Sequence, residues 1–415
     1  MTIIFKENKP FIEGVSLNDI ISTQATPFYI YSQEVITDSF NKLKEALKSE
    51  IFFSIKANSN QGILSLMKSL GTGADVVSSG ELERALRVGI PPKKIIFEGV
   101  GKSKKDIQYA IHSNIRQINI ESMEELTLIN HIGQSLNKIV NIGIRLNPNI
   151  DVQSLDKIST GRKSDKFGIS IDCLAEVCES IKASNHIKLR GISCHAGSQL
   201  CKIDIFKKIF ITMKEASAKV LSHDLQIEHL DLGGGFGVNY GNEKEIDLQE
   251  VGALVKKMFD DTPYNISFEP GRYLVAKAGI LITKILTTKE NGGIQYLITD
   301  AGMQTILRPA LYQALHKIQV LKGQINSKLL YTIAGPVCES SDIIAKNVIL
   351  PKQQAGNYIA ICDTGAYGAV MASNYNSRGL PAEILVHGKE YALIHKEEHI
   401  SEIIKKDIIP HWLKN

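Results

Sequence analysis

Between about residues 50 and 270 the chain repeats one pattern. A short apolar or β-branched run ends in polar or glycine residues, and an amphipathic stretch follows. The runs are Ile51–Lys56, Ala74–Val77, Ile95–Phe97, Gln117–Ile120, Val140–Leu146, Leu189–Cys194, Glu228–Leu232 and Ile266–Glu269. Short apolar runs bounded by turn residues predict buried strands. The stretches between them carry helical periodicity: Gly62–Leu70, Ser79–Val88, Lys104–His112, Met123–Ile132, Ile171–Ala183, Ile205–Leu221 and Leu248–Phe259. Ser79, followed by Glu81 and Glu83, marks a helix start with acids near the positive end of the helix dipole. Strands alternating with helices imply a parallel sheet with right-handed crossovers. Eight such units predict a (β/α)8, or TIM, barrel; an open doubly wound sheet is the other architecture with this pattern.

After Gly271 the pattern changes. Tyr273–Leu286, Gly293–Asp300, Leu329–Ile333, Val348–Leu350, Tyr358–Cys362, Ala382–Val386 and Glu390–Ile394 read as strands without regular helices between them. They predict a separate, mainly antiparallel β domain, onto which the strand-like first thirty residues are expected to pack. The expected division is a barrel over 32–272 and a β-rich domain from 1–31 with 273–415.

Composition narrows the class. The 415 residues are 43% hydrophobic and 22% charged, ordinary for a soluble globular protein of two or three domains. The net charge of +4 is small, and no basic stripe interleaves with aromatics, so nucleic acid is not an expected partner. Six cysteines (Cys173, Cys178, Cys194, Cys201, Cys338 and Cys362) form no C-x-x-C pair and read as reduced thiols of a cytoplasmic protein. Residues Met1–Asn8 hold no signal-peptide run and no apolar stretch reaches membrane-spanning length, so no membrane is expected. The eleven histidines have no H-E-x-x-H type spacing, so no metal is expected either.

In a (β/α)8 barrel the chemistry lies at the carboxyl ends of the strands, with phosphate often bound after the seventh and eighth. The first run ends in Lys56. Burial disfavours an ammonium and lowers its pKa, which suits an imine-forming amine. The same lysine also reads as a strand-end residue whose charge reaches water. The sixth run leads into His195-Ala196-Gly197-Ser198-Gln199, the seventh into Asp231-Leu232-Gly233-Gly234-Gly235-Phe236-Gly237 and the eighth into Glu269-Pro270-Gly271-Arg272. A glycine loop lets backbone N–H groups approach an anion, although alone it equally reads as a tight turn. It matches neither a Walker loop nor a G-x-G-x-x-G turn. His195 alone also reads as a core histidine, and Glu269 as an ion-pair partner for Arg272. An imine-forming lysine, a flat ring, a phosphate cradle and a carboxylate at one mouth together are what pyridoxal 5′-phosphate requires.

On these residues the chain resembles the diaminopimelate decarboxylase family, within the fold-type III, alanine-racemase-like pyridoxal phosphate enzymes. The motifs carrying the resemblance run through nearly the whole chain. In the first part they are Ser54-Ile55-Lys56-Ala57-Asn58, Gly73 to Leu82, Lys166-Phe167-Gly168, Cys194 to Gln199, Gly233–Gly237 and Glu269 to Arg272. In the second they are Asp300-Ala301-Gly302-Met303, Arg308-Pro309-Ala310-Leu311-Tyr312, Gly335 to Asp342, Gly365-Ala366-Tyr367-Gly368 and Ser373 to Arg378. Ala196 stands where the family often has isoleucine, Gln304-Thr305 replaces a common Asn-Asp, and Gly379-Leu380 replaces a Pro-Arg.

The resemblance implies decarboxylation of meso-2,6-diaminopimelate to L-lysine and carbon dioxide, the last step of lysine biosynthesis. It implies that Lys56 carries pyridoxal 5′-phosphate and His195 stacks on its ring. Ser198, Gly234, Gly235, Gly271, Arg272 and Tyr367 are then the phosphate set, and Glu269 the partner of the pyridine nitrogen. Cys338 is implied as the acid that reprotonates Cα. Arg272, Arg308 and Tyr312 suit the distal carboxylate, Glu339 the distal ammonium, and Tyr367 also touches substrate. In similar enzymes Cys338 and Glu339 reach the site from a second subunit, which implies a homodimer with shared sites. The alternatives are a decarboxylase of ornithine, arginine or carboxynorspermidine, racemase-like chemistry, and a non-catalytic binding homologue. A diamine-forming enzyme has no distal carboxylate for Arg308 to hold, Glu269 disfavours the racemase, and an intact lysine, acid and glycine loop disfavour the binding homologue.

Overall fold

The computed structural model describes residues 3–150, 160–162, 164–241, 245–321 and 327–414. Polar residues just beyond the strands start the helices. Ser78 Oγ accepts from Glu81 N at 3.2 Å, Ser122 Oγ from Glu125 N at 3.1 Å, and Ser103 forms a capping box with Asp106. The expected start at Ser79 is therefore one residue late for the cap and correct for the first helical residue.

The eight runs become β1 (Glu50–Ser54), β2 (Gly73–Val76), β3 (Ile95–Phe97), β4 (Gln117–Ile120), β5 (Val140–Asn147), β6 (Ile187–Cys194), β7 (His229–Asp231) and β8 (Asn265–Phe268). Each pairs in parallel with the next, and β8 returns to β1 through Ser267↔Glu50 and Phe268↔Ile51. The sheet is closed, so the barrel is the observed architecture and the open sheet is not. The short strand Ile169–Ser170 adds to the end of β5.

Register sets the site. Ser54 pairs with Asp75, Arg145 with Ser193, Ser193 with Asp231, and Asp231 with Ser267. Side chains alternate faces along a strand, so matched register places these polar groups together at one level of the barrel. All six are buried, at most 7% exposed. Apolar neighbours point the other way; Phe268 of β8 meets Phe236 and Phe210 at ring distances of 5.7 and 6.3 Å.

Residues Met1–Thr37, Tyr240–Asn242 and Val275–Asn415 form one compact unit; Asp38–Asn239 with Glu243–Leu274 forms the other. In the first, Gly279–Asn291 is the central strand. It pairs antiparallel with Phe28–Ser32, Tyr358–Cys362 and Ile294–Thr299. Two pairings are parallel: Phe28–Ser32 with Ala382–His387, and Ile294–Thr299 with Lys328–Ala334. Ile12, Leu17, Ile20, Phe28 and Ile30 share a core with Ile280, Ile282, Ala360 and Ile384, so the N-terminal segment belongs to this sheet as expected.

Two local expectations are corrected. Arg272–Val275 and Ala276–Ala278 are helical turns, and the strand expected from Tyr273 begins at Gly279. Leu17–Thr23, inside the strand-like first thirty residues, is a helix with Leu17 and Ile20 buried. An apolar run of this length fits either period. Among the described residues no helix is long and apolar enough to cross a membrane.

Candidate active site

Lys56 lies in the turn Ile55–Ala57 just after β1. Of the two readings of this lysine, a desolvated amine and a strand-end charge that reaches water, neither holds alone: the side chain is 37% exposed and Nζ sits 2.6 Å from Oδ2 of the fully buried Asp75. Ser54 Oγ donates to the same oxygen at 2.7 Å. Asp75 was not among the expected site residues. Its signal is an acid in the middle of the apolar run Gly73–Val76.

Glu269 follows β8, neighbour of β1 in the closed barrel. It is 5% exposed, and Oε1 has no hydrogen-bond partner among the described residues. Burial holds its carboxyl well above the ordinary range, and Asp231, Asp75 and Glu98 add to this. Asp231 is pushed up to about 7, chiefly by burial, while Ser267 Oγ at 2.6 Å and Gly233 N at 2.8 Å donate to it. Arg145 answers the crowd of acids from β5, 2.9 Å from Glu121 and 3.4 Å from Glu98. Asn119 Nδ2 and Ser193 Oγ donate to Glu98.

The glycine loop is wedged between the ends of β6 and β8. Gly233 and Gly235 have φ of +73° and +83°, which favours glycine. A Cβ on Gly233 would stand 2.1 Å from Cys194 O, and one on Gly234 would stand 2.1 Å from Glu269 O. Gly234 N–H donates to His195 Nδ1 at 3.3 Å, which leaves the ring proton on Nε2. Burial, then the Lys56 and Arg145 cations, pushes the His195 imidazole down to about 3, so the ring is neutral. Arg272 Nε and Nη2 donate to Ser198 Oγ at 3.3 and 3.2 Å, and a Cβ added on Gly271 would stand 3.0 Å from the Cβ atoms of Ser54 and Ala57. The barrel thus brings together Lys56, His195, Ser198, Gly234, Gly235, Glu269, Gly271 and Arg272 from the ends of β1, β6, β7 and β8.

The β unit carries the other expected residues. Cys338 and Glu339 are exposed in the turn after Lys328–Ala334. Asp342, which closes the Gly335 to Asp342 motif and is assigned no site role by the sequence, holds that turn: its carboxylate accepts from Met303 N at 2.6 Å and Val337 N at 2.8 Å. Cys338 N–H donates to Asn376 Oδ1 at 3.1 Å. A hydrogen bond to Glu339 raises the Tyr375 phenol. Arg308 is 6% exposed and opens the helix Arg308–Tyr312, with Tyr312 half-buried at its end. Tyr367 adopts a left-handed φ of +55° beside Gly368, whose added Cβ would stand 2.4 Å from Thr364 O.

Residues 33–276 match the family model for the pyridoxal-binding domain of pyridoxal-dependent decarboxylases. The site fits that cofactor. Glu269 offers a buried, unpartnered oxygen for a ring nitrogen, His195 a neutral ring, the wedged glycines a cradle without side chains, and Lys56 an amine. Fold and site define a pyridoxal phosphate-dependent decarboxylase of the barrel type. The diaminopimelate decarboxylase of Aquifex aeolicus is 36% identical over 406 residues, 97% of this chain and 97% of that protein. The Helicobacter pylori enzyme, solved in complex with L-lysine, is 38% identical with a TM-score of 0.90, covering 94% of this chain and 98% of its own. The M. jannaschii enzyme in co-complex with L-lysine is 35% identical with a TM-score of 0.94, covering 100% and 99%. The chain belongs to the diaminopimelate decarboxylase family.

The crowded carboxyls predict a pH signature. Burial raises Asp231 and Glu81 to about 7, and Glu98 and Glu269 are also raised. From pH 6.5 to 8 the folded cofactor-free chain therefore holds more protons than the unfolded chain. Each such proton lowers stability by about 1.4 kcal/mol per pH unit as pH rises. His195 and His229, both lowered to about 3 by burial, act in the opposite sense and only below about pH 6.5, the ordinary histidine value. Calorimetry of the cofactor-free protein should show Tm falling from pH 6.5 to 8. Bound cofactor should shrink the fall, because a protonated ring nitrogen stabilises ionised Glu269. A flat or rising Tm without cofactor contradicts the assignment.

Proposed function

We propose that this chain removes one carboxyl group of meso-2,6-diaminopimelate as carbon dioxide and leaves L-lysine, the last step of lysine biosynthesis. The observation that carries the reading is an amine, Lys56, just past β1, and a buried carboxyl with an unpartnered oxygen, Glu269, just past the neighbouring β8. The substrate follows from family membership and from Arg308, a buried guanidinium suited to a carboxylate. Pyridoxal 5′-phosphate, when bound, supplies an aldehyde that condenses with amines and a ring that accepts the electron pair left by carbon dioxide.

Lys56 is the covalent anchor, and Asp75 orients its Nζ. Neutral His195 would support the cofactor ring, with the Gly234 N–H fixing the orientation of the imidazole. The Glu269 carboxylate would keep the ring nitrogen protonated. Ser198, Gly234, Gly235, Gly271, Arg272 and Tyr367 would hold the phosphate, and the Arg272–Ser198 contact would keep that cradle in shape. Arg272, Arg308 and Tyr312 bind the distal carboxylate, Glu339 the distal ammonium, and Tyr367 the substrate. Cys338 Sγ delivers a proton to the Cα that has lost carbon dioxide. The working enzyme is a cytoplasmic homodimer in which Cys338 and Glu339 serve the barrel of the second subunit. The barrel over 32–272 supplies all the cofactor residues but Tyr367, and 1–31 with 273–415 supplies all the substrate-reading residues but Arg272.

Carbon dioxide release from meso-diaminopimelate, ornithine, arginine and carboxynorspermidine, measured in parallel on the cofactor-loaded enzyme, tests this. Diaminopimelate should be the preferred substrate by at least about 100-fold, since a site built around a charged group rejects analogues lacking it. Release from ornithine but not from diaminopimelate overturns the assignment.

A further inference from the structure

We propose that His316 is a positioning residue that holds Arg308 in the pose for reading a distal carboxylate, and so sets the preference for ligands that carry one. The inference rests on the reading of Arg308 given above. Arg308 Nη1 lies 3.1 Å from His316 Nε2. A guanidinium has only N–H donors, so Nε2 accepts. His316 Nδ1 lies 2.8 Å from Cys362 O, which only accepts, so Nδ1 carries the proton. The two contacts demand one neutral tautomer and lock the ring at both nitrogens.

The local chain explains how a residue eight positions on reaches back. Gln313 ends the helix Arg308–Tyr312 with a left-handed φ of +54°, and Ala314 N–H bonds to Arg308 O at 3.4 Å. That reversal carries His316 to the arginine. Cys362 closes the buried strand Tyr358–Cys362, paired with both Gly279–Asn291 and Ile318–Val320, so the far side of the relay is a sheet rather than a loop. The Tyr240 ring supports the guanidinium from another direction, 4.7 Å from Cζ, and meets His316 edge-on at 5.7 Å. His316 is 6% exposed, so little of its ring faces solvent. A planar fork binds a carboxylate through orientation, so tilting it costs carboxylate recognition before it costs anything else.

The test compares two ligands of the holoenzyme by calorimetric titration. L-lysine keeps the distal carboxylate; 1,5-diaminopentane lacks it. His316→Leu should weaken L-lysine binding about 10-fold, the scale of one lost hydrogen bond to a charged group, and leave diaminopentane within twofold. His316→Gln, which keeps an acceptor at that reach, should restore most of the L-lysine affinity, whereas the shorter His316→Asn should not. Equal weakening of both ligands, or no weakening of either, overturns the proposal. If His316→Leu does not fold, the Gln and Asn pair decides alone: indistinguishable L-lysine affinities overturn it. Arg308→Met separates the two levels. Selective loss of L-lysine there, without loss in the His316 variants, sinks His316 only. No selective loss in Arg308→Met sinks the reading of Arg308 itself.

Discussion

Lys56→Ala is expected to lower carbon dioxide release by about 10⁴-fold or more, the scale of losing a covalent nucleophile. The visible absorption of the bound cofactor should go with it. The substitution removes the amine and also takes the cation away from Asp75, which is fully buried with Glu98, Glu269 and Asp231 close enough to raise one another. An uncompensated buried charge is costly, so the variant should also melt lower. Lys56→Arg separates the two effects. It keeps a cation beside Asp75 but cannot form an imine, so stability should return and activity should not. Retention of more than a hundredth of the activity by Lys56→Ala, in steady-state assays with excess cofactor, would remove Lys56 from the chemistry.

The second large effect is expected at Cys338. Cys338→Ala should cost about 10²–10⁴ in turnover, the range for losing a positioned acid, while cofactor binding and its spectrum stay unchanged. The thiol is exposed on a turn whose backbone is pinned by Asp342 and Asn376, so truncation should not disturb the fold. If sites are shared between subunits, mixing Cys338→Ala with Lys56→Ala should restore activity. Half of randomly exchanged dimers are hybrids, and each hybrid has one complete site, so recovery should approach about a quarter of wild type. Absence of recovery in a mixture proven to exchange subunits would place both residues on one chain's site.

Much of the fold is legible in the sequence because each barrel strand is a short apolar run with a polar end. β3, β4 and the helices Lys104–His112 and Leu248–Phe259 fall on the residues the pattern predicts. Where the pattern fails, the cause is length. Tyr273–Ala278 and Leu17–Thr23 are too short for their period to declare itself, and Leu17–Thr23 buries only Leu17 and Ile20. The site is legible wherever topology carries the information, since parallel strands bring Lys56, His195, Gly234 and Glu269 to one mouth whatever their separation in sequence. Asp75, Arg145 and Asp231 are not legible in that way. They lie inside strands and matter because register stacks them at one level, which no single run reveals. Asp342 reaches back five positions to Val337 and His316 eight positions to Arg308 through chain reversals, and a reversal of that kind leaves no periodic trace.

The most direct test of the central claim is reductive trapping. Borohydride should bleach the visible band of the purified enzyme and fix a pyridoxal-derived mass on one peptide. After proteolysis, mass spectrometry should place that mass on Lys56, in Ser54-Ile55-Lys56-Ala57-Asn58. A label on another lysine, or no label after reconstitution with excess pyridoxal phosphate, would contradict the account of the barrel mouth as the reaction centre.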